Sequence, residues 1–109
     1  MDPNLFKGNL ELILLSILEE GEKYGLEITK EANVRTDGYF RLNVGSLYPT
    51  LHKLERAGFL TVETRPNPRG GANLRYYQLT DEGGKVLKER RSAFETFDHA
   101  MRALWGGKS

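Results

Sequence analysis

The sequence contains no cysteine, no long hydrophobic run and almost no net charge, and each absence removes a class of protein. Without cysteine there is no disulfide framework and no thiolate chemistry, which fits a reducing compartment. The longest apolar stretch, residues 10–18, is interrupted by Glu11 and is too short to span a bilayer. It also lacks the basic flank and cleavage site of a signal peptide. We therefore expect a cytoplasmic protein.

Groups that carry catalysis or bind metals are equally scarce. The histidines, His52 and His99, have no partner at metal-ligand spacing. Ser46 and His52 fall on different faces of one predicted helix, so they cannot form a nucleophile–base pair. The paired glycines match neither a phosphate-binding loop nor a dinucleotide fingerprint. We expect no enzyme, no metal site and no cofactor.

The charge that is present is unevenly distributed. At 109 residues, with 39% hydrophobic and 28% charged residues, the chain has the composition of one globular domain. Its net charge is only +1, yet residues 35–76 carry seven Lys/Arg against three Asp/Glu, a local +4. A protein that binds nucleic acid needs a local basic face rather than a high total charge.

Apolar residues recurring three and four positions apart predict three helices in the first half of the chain. The first covers residues 5–20, and Leu12, which lies off its main stripe, indicates a second apolar contact. The third covers residues 43–57. The second, over residues 24–32, would turn three apolar side chains inward: Leu26, Ile28 and Ala32.

Beyond residue 58 the apolar period changes to two. Residues 60–65 and 74–79 both alternate, and the polar Pro/Gly segment 66–73 between them is a turn, which predicts a β-hairpin. Thr80 then caps a last helix that continues to Trp105.

This order of elements predicts a fold that is mainly α with a small β-hairpin, namely a winged helix-turn-helix plus a C-terminal dimerisation helix. Residues 1–79 would form the DNA-binding domain, and residues 80–109 the dimerisation helix and tail. Fold analogy alone does not fix the function, because winged helices also serve as protein-binding modules.

The third helix contains Pro49 at an interior position, where proline costs about 3 kcal/mol. If the leucines of this helix form its buried stripe, Pro49 faces outward. The carbonyl of Gly45, which loses its donor, is then open to water or a ligand. The alternative is that Pro49 begins the helix, with Tyr48 in the preceding loop as a core aromatic.

The side chains on the outward face of this helix are small near its N-terminus and basic farther along, as in helices that enter the major groove of DNA. The Tyr48 hydroxyl can donate to a phosphate. Three arginines on a solvated hairpin mean little alone, but beside a basic helix they predict a wing along the phosphate backbone. We expect DNA contacts from ten residues: Asn43, Gly45, Ser46, Tyr48, Pro49, His52, Lys53, Arg56, Arg69 and Arg75.

The last helix carries large apolar residues at a/d spacing, which predicts packing against another helix. The three-helix core is closed without it, so we expect a two-fold dimer interface; packing onto the first helix of the same chain is the alternative. The two reading helices would then lie about 34 Å apart and read a pseudo-palindrome. The predicted interface comprises Leu12, Leu87, Phe94, Phe97, Met101 and Leu104.

Three aromatic residues near this interface, Phe94, Phe97 and Trp105, are candidates for an effector pocket between subunits. Interface aromatics without a ligand are the commoner arrangement and remain the alternative. A bound ligand would alter the angle between the C-terminal helices and shift the spacing of the reading helices.

Three motifs resemble the PadR family of bacterial transcriptional regulators: YGLEI at 24–28, GSLYPTLHKLERAGFL at 45–60, and RYYQLT at 75–80 following a Gly-Gly pair. The resemblance covers residues 8–105. It implies a homodimeric winged-helix DNA binder, usually a repressor, with the C-terminal helix at the dimer interface. The short tail is similar to the smaller branch of the family, some of whose members sense drugs or aromatic compounds.

The resemblance also implies that Tyr48, Pro49 and Lys53 belong to the DNA-contacting helix. The family's wing commonly has a basic run after its Gly-Gly pair, whereas here Ala-Asn-Leu precedes Arg75, so we expect either a weaker wing contact or one that rests on Arg69. We predict a homodimeric regulator that represses a nearby operon and is released by a small hydrophobic or aromatic effector. A winged helix that binds proteins and no DNA is the alternative.

Overall fold

The computed structural model describes residues 1–106 and shows a mainly helical chain with one small antiparallel sheet. Residues 107–109, which the sequence assigns to the C-terminal tail, lie outside the described residues. The elements are α1 (Pro3–Leu18), β1 (Lys23–Tyr24), α2 (Gly25–Arg35), α3 (Val44–Arg56), β2 (Leu60–Arg65), β3 (Leu74–Leu79) and α4 (Asp81–Leu104). The strand order in the sheet is β1-β3-β2, and this arrangement confirms the predicted winged helix-turn-helix with an added C-terminal helix.

Capping side chains determine where three of the helices begin. Asp2, Asn43 and Thr80 precede α1, α3 and α4, and a side-chain oxygen of each accepts first-turn backbone N–H groups at 2.9–3.0 Å. These bonds satisfy donors that a helix start otherwise leaves unpaired. The predicted cap Thr80 is confirmed, and Asn43 caps the third helix, which was predicted to begin at residue 43.

Helix α1 is the centre of the core. It contacts α2, α3, α4 and β3, so apolar residues on more than one of its faces are covered. Leu14 and Leu15 are both fully buried although they point in different directions along the helix. The second apolar contact predicted for α1 is therefore real, and Leu12 lies half-buried beside it.

Two sequence predictions about packing are wrong. Leu26 is 71% exposed rather than inward, because residues two apart on a helix point about 200° apart and the buried Ile28 fixes the opposite direction. Leu87 is only 1% exposed within the single chain. It packs in the chain's own core and has no surface left for a dimer interface.

The sequence also missed β1, whose two residues are too short to show any periodicity. Lys23 and Tyr24 pair with Tyr77 and Tyr76 of β3, and the Tyr24 ring meets the Tyr76 ring edge-on at 5.4 Å between centroids. This pairing attaches the corner between α1 and α2 to the hairpin. The relative position of the helix-turn-helix and the wing is therefore fixed by backbone hydrogen bonds.

Candidate nucleic-acid interface

Helix α3 separates its apolar and polar residues cleanly. Its three leucines, Leu47, Leu51 and Leu54, are at most 2% exposed and anchor the helix on the core. Gly45, Pro49, His52 and Arg56 are all exposed, on the side opposite the leucines. The helix runs through Pro49 without interruption, so the alternative in which this proline begins the helix is wrong.

The N-terminal end of this exposed side is formed by backbone and small side chains. Pro49 has no N–H for the carbonyl of Gly45, and both residues lie at the surface, where water can satisfy that carbonyl. The Asn43 side-chain oxygen is engaged by the N–H of Ser46 at 2.9 Å. Asn43 therefore has its side-chain NH₂, rather than its oxygen, to offer a ligand.

Tyr48 lies within α3 rather than in a preceding loop, yet it packs as the core aromatic of the alternative interpretation. Its ring is half-buried and packs against the core, as a core aromatic does. Its hydroxyl lies at the first residue of α2, where a Cβ added to Gly25 would stand 2.1 Å from it. The hydroxyl is thus placed at the junction between the two helices of the helix-turn-helix.

Lys53 points back toward α1 and forms an ion pair that the sequence did not predict. Its Nζ lies 2.8 Å from Glu11 Oε2, while Arg90 of α4 contacts the other oxygen of the same carboxylate at 2.5 Å. The hydrogen bond from Lys53 lowers the pKa of Glu11 most, Arg90 lowers it further, and partial burial opposes both. One carboxylate therefore connects three helices.

Arg65, the last residue of β2, anchors the end of the hairpin from which the turn formed by residues 66–73 projects. It pairs with Glu22 and with Glu63, and its guanidinium lies 4.2 Å from the centroid of the Tyr76 ring. These two carboxylates raise the pKa of Arg65, and Arg65 in turn lowers the pKa of Glu22. The charge of Arg65 is thus engaged within the protein.

The other two wing arginines lie nearer to solvent. Arg75 approaches Glu55 at 3.9 Å, and a shallow cavity of about 370 Å³ between helix and wing is lined by His52, Glu55, Arg56 and Arg75. Arg69 is exposed in the turn beyond β2 and forms no ion pair within residues 1–106. The structure thus brings His52, Arg56 and Arg75 together and leaves Arg69 at the tip.

Tyr77 is a further residue of this region that the sequence did not single out. It is fully buried, and its hydroxyl has no hydrogen-bond partner among the described residues. Burial raises the pKa of this phenol, and the Arg75 guanidinium lies 6.0 Å from the centroid of its ring. Neither Tyr77 nor Glu11 could have been found from spacing, because their contacts cross between distant segments.

Helix α4 leaves apolar side chains uncovered along its second half. Phe94 is 45% exposed, Phe97 64%, Leu104 79% and Trp105, just past the helix end, 70%. Met101 is half-buried. Phe94, Phe97, Met101 and Leu104 are the predicted interface residues other than Leu87 and the half-buried Leu12, and Trp105 belongs to the predicted effector pocket.

Phe94 stands beside three grooves next to α1, of which two are larger than the third. One, of about 370 Å³, lies between α1 and α2 and has apolar walls that include Leu12 and Phe40. The other, of about 570 Å³, lies between α1 and α4 and is shared with Phe97. Trp105 lines none of the three grooves, so within one chain the three aromatics predicted as an effector pocket do not form a single cavity.

Residues 1–106 contain no cluster of His, Asp or Glu side chains able to hold a metal ion. Within the same range, no helix combines the length and apolar character needed to cross a membrane.

The sequence and the fold both match known regulators. Residues 14–89 match the profile described as the transcriptional regulator PadR-like family. The chain is 36% identical over 100 residues to transcriptional regulator Rv3488 of Mycobacterium tuberculosis, covering 92% of this chain and 86% of that protein.

Two solved structures share the architecture. A transcriptional regulator from Clostridium thermocellum superposes with a TM-score of 0.83 at 27% identity, over 92% of this chain and 96% of the other. A PadR family transcription regulator from Clostridium difficile R20291 gives a TM-score of 0.76 at 28% identity, over 90% and 99%. Because the family profile spans most of the chain and the winged-helix architecture agrees, this protein belongs to the PadR-like family of transcriptional regulators.

Proposed function

We propose that the chain is a homodimeric, sequence-specific DNA-binding repressor that reads a pseudo-palindromic operator with the exposed side of α3. The observation that carries this proposal is that this side, formed by Gly45, Pro49, His52 and Arg56, is covered by no other part of the described chain. Its small N-terminal end permits close approach to base edges, and its basic end attracts phosphate.

The wing extends this basic surface. Arg75 lies beside His52 and Arg56 around the shallow cavity, and Arg69 projects from the turn beyond it. Cations at these positions bind the phosphate backbone, which supplies affinity with little sequence preference. Ser46, Tyr48 and the NH₂ group of Asn43 position the helix start.

The uncovered apolar side of α4 supports the homodimer. Phe97 and Leu104 are more than 60% exposed, which is unfavourable for a solitary chain in water. A two-fold axis through this side would also cover Met101 and the half-buried Leu12. In this arrangement residues 80–109 serve dimerisation and residues 1–79 bind DNA.

The two larger grooves beside Phe94 support release by a small hydrophobic or aromatic effector. They have sizes typical of ligand sites, Phe94 of α4 lines both, and both adjoin α1, which contacts α3. A ligand bound there would tilt α4 against α1. That tilt would change the separation of the two reading helices and so weaken operator binding.

The DNA-binding proposal is tested by fluorescence anisotropy, with the duplex upstream of the protein's own gene and duplexes selected from a random pool. Arg56→Gln should lower affinity about tenfold and reduce the salt slope by about 0.9, the contribution of one phosphate contact. Tyr48→Phe, which keeps the packed ring, should also lower affinity.

Lys88→Gln, an equal change of charge on α4, is the matched control and should leave binding near the wild-type value. If the folded wild-type protein bound no duplex at low salt, the protein-interaction module would replace the DNA-binding proposal. If Lys88→Gln weakened binding as much as Arg56→Gln, the exposed side of α3 would not be the DNA-reading surface.

A further inference from the structure

The carboxylate of Glu11 joins the proposed DNA-reading helix to the C-terminal helix. Its Oε2 contacts Lys53 of α3 at 2.8 Å, and its Oε1 contacts Arg90 of α4 at 2.5 Å. The Glu11 side chain is 24% exposed, whereas those of Lys53 and Arg90 are 68% and 40% exposed. Glu11 is therefore the fixed member of the cluster, and the two cations are the members that can move.

We infer that Glu11 sets the positive charge that α3 presents to DNA, by competing with phosphate for Lys53 to an extent that Arg90 controls. This inference rests on the proposed DNA binding. It adds a residue outside the interface and a direction: Glu11 weakens binding, and Arg90 relieves that effect.

Competition follows from the geometry of the cluster. Lys53 cannot direct its ammonium group fully to a phosphate while it hydrogen-bonds to Glu11. Once Lys53 leaves, the carboxylate stays near the DNA and repels it, unless another cation neutralises the carboxylate. Arg90 is the cation placed to do so, through the second oxygen.

Arg90 makes the effect sensitive to the position of α4. If α4 moves away from α1, Glu11 keeps Lys53 as its remaining partner and holds it more strongly. The arrangement thus converts a displacement of the C-terminal helix into lower DNA affinity without any change in the shape of α3.

The salt dependence gives a signature that packing alone would not produce. When an unpaired lysine binds a phosphate, about 0.9 of a counterion is released from the DNA. When the lysine first leaves a carboxylate, the part of the carboxylate charge that Arg90 does not neutralise attracts a cation from solution and offsets part of the release. Removing the Glu11 charge should therefore make the salt slope steeper by up to about 0.9.

The chain supplies a matched control pair nearby. Arg91 of α4 contacts Glu19, the C-cap residue of α1, at 2.7 Å, so it also links α4 to α1, but this pair includes no residue of α3. Glu19→Gln and Arg91→Gln change the net charge as Glu11→Gln and Arg90→Gln do. They leave Lys53 untouched.

The experiment measures affinity and salt slope by anisotropy, with a duplex selected from a random pool by the wild-type protein. Glu11→Gln should tighten binding about threefold, the scale of one surface ion pair, and steepen the slope. Arg90→Gln should weaken binding about threefold, but not in the Glu11→Gln background. Adding Lys53→Gln should abolish the gain from Glu11→Gln. Thermal unfolding confirms that each variant is folded.

The outcomes separate this inference from the proposed function. Failure of the folded wild-type protein to select any duplex would overturn both. Normal wild-type binding with equal gains from Glu11→Gln and Glu19→Gln would overturn the inference alone, as a general charge effect. Weaker binding by Glu11→Gln would also overturn it, since Glu11 would then orient Lys53 rather than compete for it. If Glu11→Gln does not fold, the inference would be overturned by Arg90→Gln losing no more DNA affinity than Arg91→Gln does.

Discussion

The hydroxyl of Tyr48 occupies the space that a side chain at Gly25 would need, 2.1 Å from the position of a Cβ at that residue. The glycine at the first position of α2 and the tyrosine of α3 are therefore a matched pair. This contact sets how closely the two helices of the helix-turn-helix approach.

Gly25→Ala should lower the free energy of unfolding by about 1–3 kcal/mol, because the methyl group must displace the tyrosine or the helix. In a Tyr48→Ala background the same change should cost much less, since the space is then vacant. Urea denaturation of the four proteins of this cycle measures the difference. An equal cost in both backgrounds would show that the Gly25–Tyr48 contact is not the cause.

Adjacent glycines in the first turns of α4 should respond in opposite ways to alanine. A Cβ at Gly83 would stand 2.1 Å from the carbonyl oxygen of Phe59, which also accepts the N–H of Thr80 at 3.1 Å and cannot move freely. A Cβ at Gly84 meets nothing within 4 Å. Gly83→Ala should therefore cost about 1–3 kcal/mol, whereas Gly84→Ala should gain about 0.5–1 kcal/mol. Chemical denaturation of both variants tests this, and a similar loss in each would contradict it.

Acid should remove the contribution of Glu11 to stability. The folded-state pKa of this carboxyl lies below its ordinary value of 4.5, so the unfolded chain binds the proton more readily. The stabilisation is complete above the ordinary value and is lost as the pH falls through the lowered one.

Glu11→Gln should therefore be less stable than wild type at neutral pH, by an amount that shrinks on acidification. Lys53→Gln should also lower the stability at neutral pH, because it removes the largest cause of the lowered pKa of Glu11. Thermal unfolding of the two variants and of the wild type, from neutral pH to below the ordinary pKa of 4.5, measures both differences in stability. A difference between Glu11→Gln and wild type that stays constant with pH would exclude the coupling.

Charge introduced on the uncovered side of α4 should dissociate the proposed dimer. Phe97→Glu and Leu104→Glu each place a carboxylate where an apolar contact would be buried. Leu26→Glu is the control, because Leu26 is 71% exposed on α2, outside the proposed interface. Sedimentation velocity should find the first two variants monomeric and the control dimeric. Dimers of all three would place the interface elsewhere.

Periodicity alone was enough to predict most of the fold. The leucines of α3 define their stripe so clearly that the outward direction of Pro49 follows from it, and alternation predicts β2 and β3 with the bounds that the structure shows. These patterns are local, and each element buries one face against the core. Hydrophobicity alone predicts Leu26 inside, whereas its angle relative to the buried Ile28 turns it outward.

The parts that could not be predicted depend on contacts between distant segments. Nothing in the spacing of Glu11 shows that it meets Lys53 and Arg90, and nothing near Arg65 shows that its charge is engaged by Glu22. Candidate DNA contacts could be named from the α3 face. Their electrostatic partners could not be named until the helices were packed.

The attachment at the base of the wing has a consequence for how far the protein reaches along a duplex. β1 pairs with β3, and Arg65 joins Glu22 to Tyr76, so the hairpin is held up to residue 65. The chain reverses direction within residues 66–73, which contain two prolines and two glycines; both glycines have φ near +85°. In the proposed complex with DNA, the length of that turn determines the footprint, and we expect a longer or shorter turn to change how many base pairs are protected while leaving the proposed reading of the operator by α3 intact.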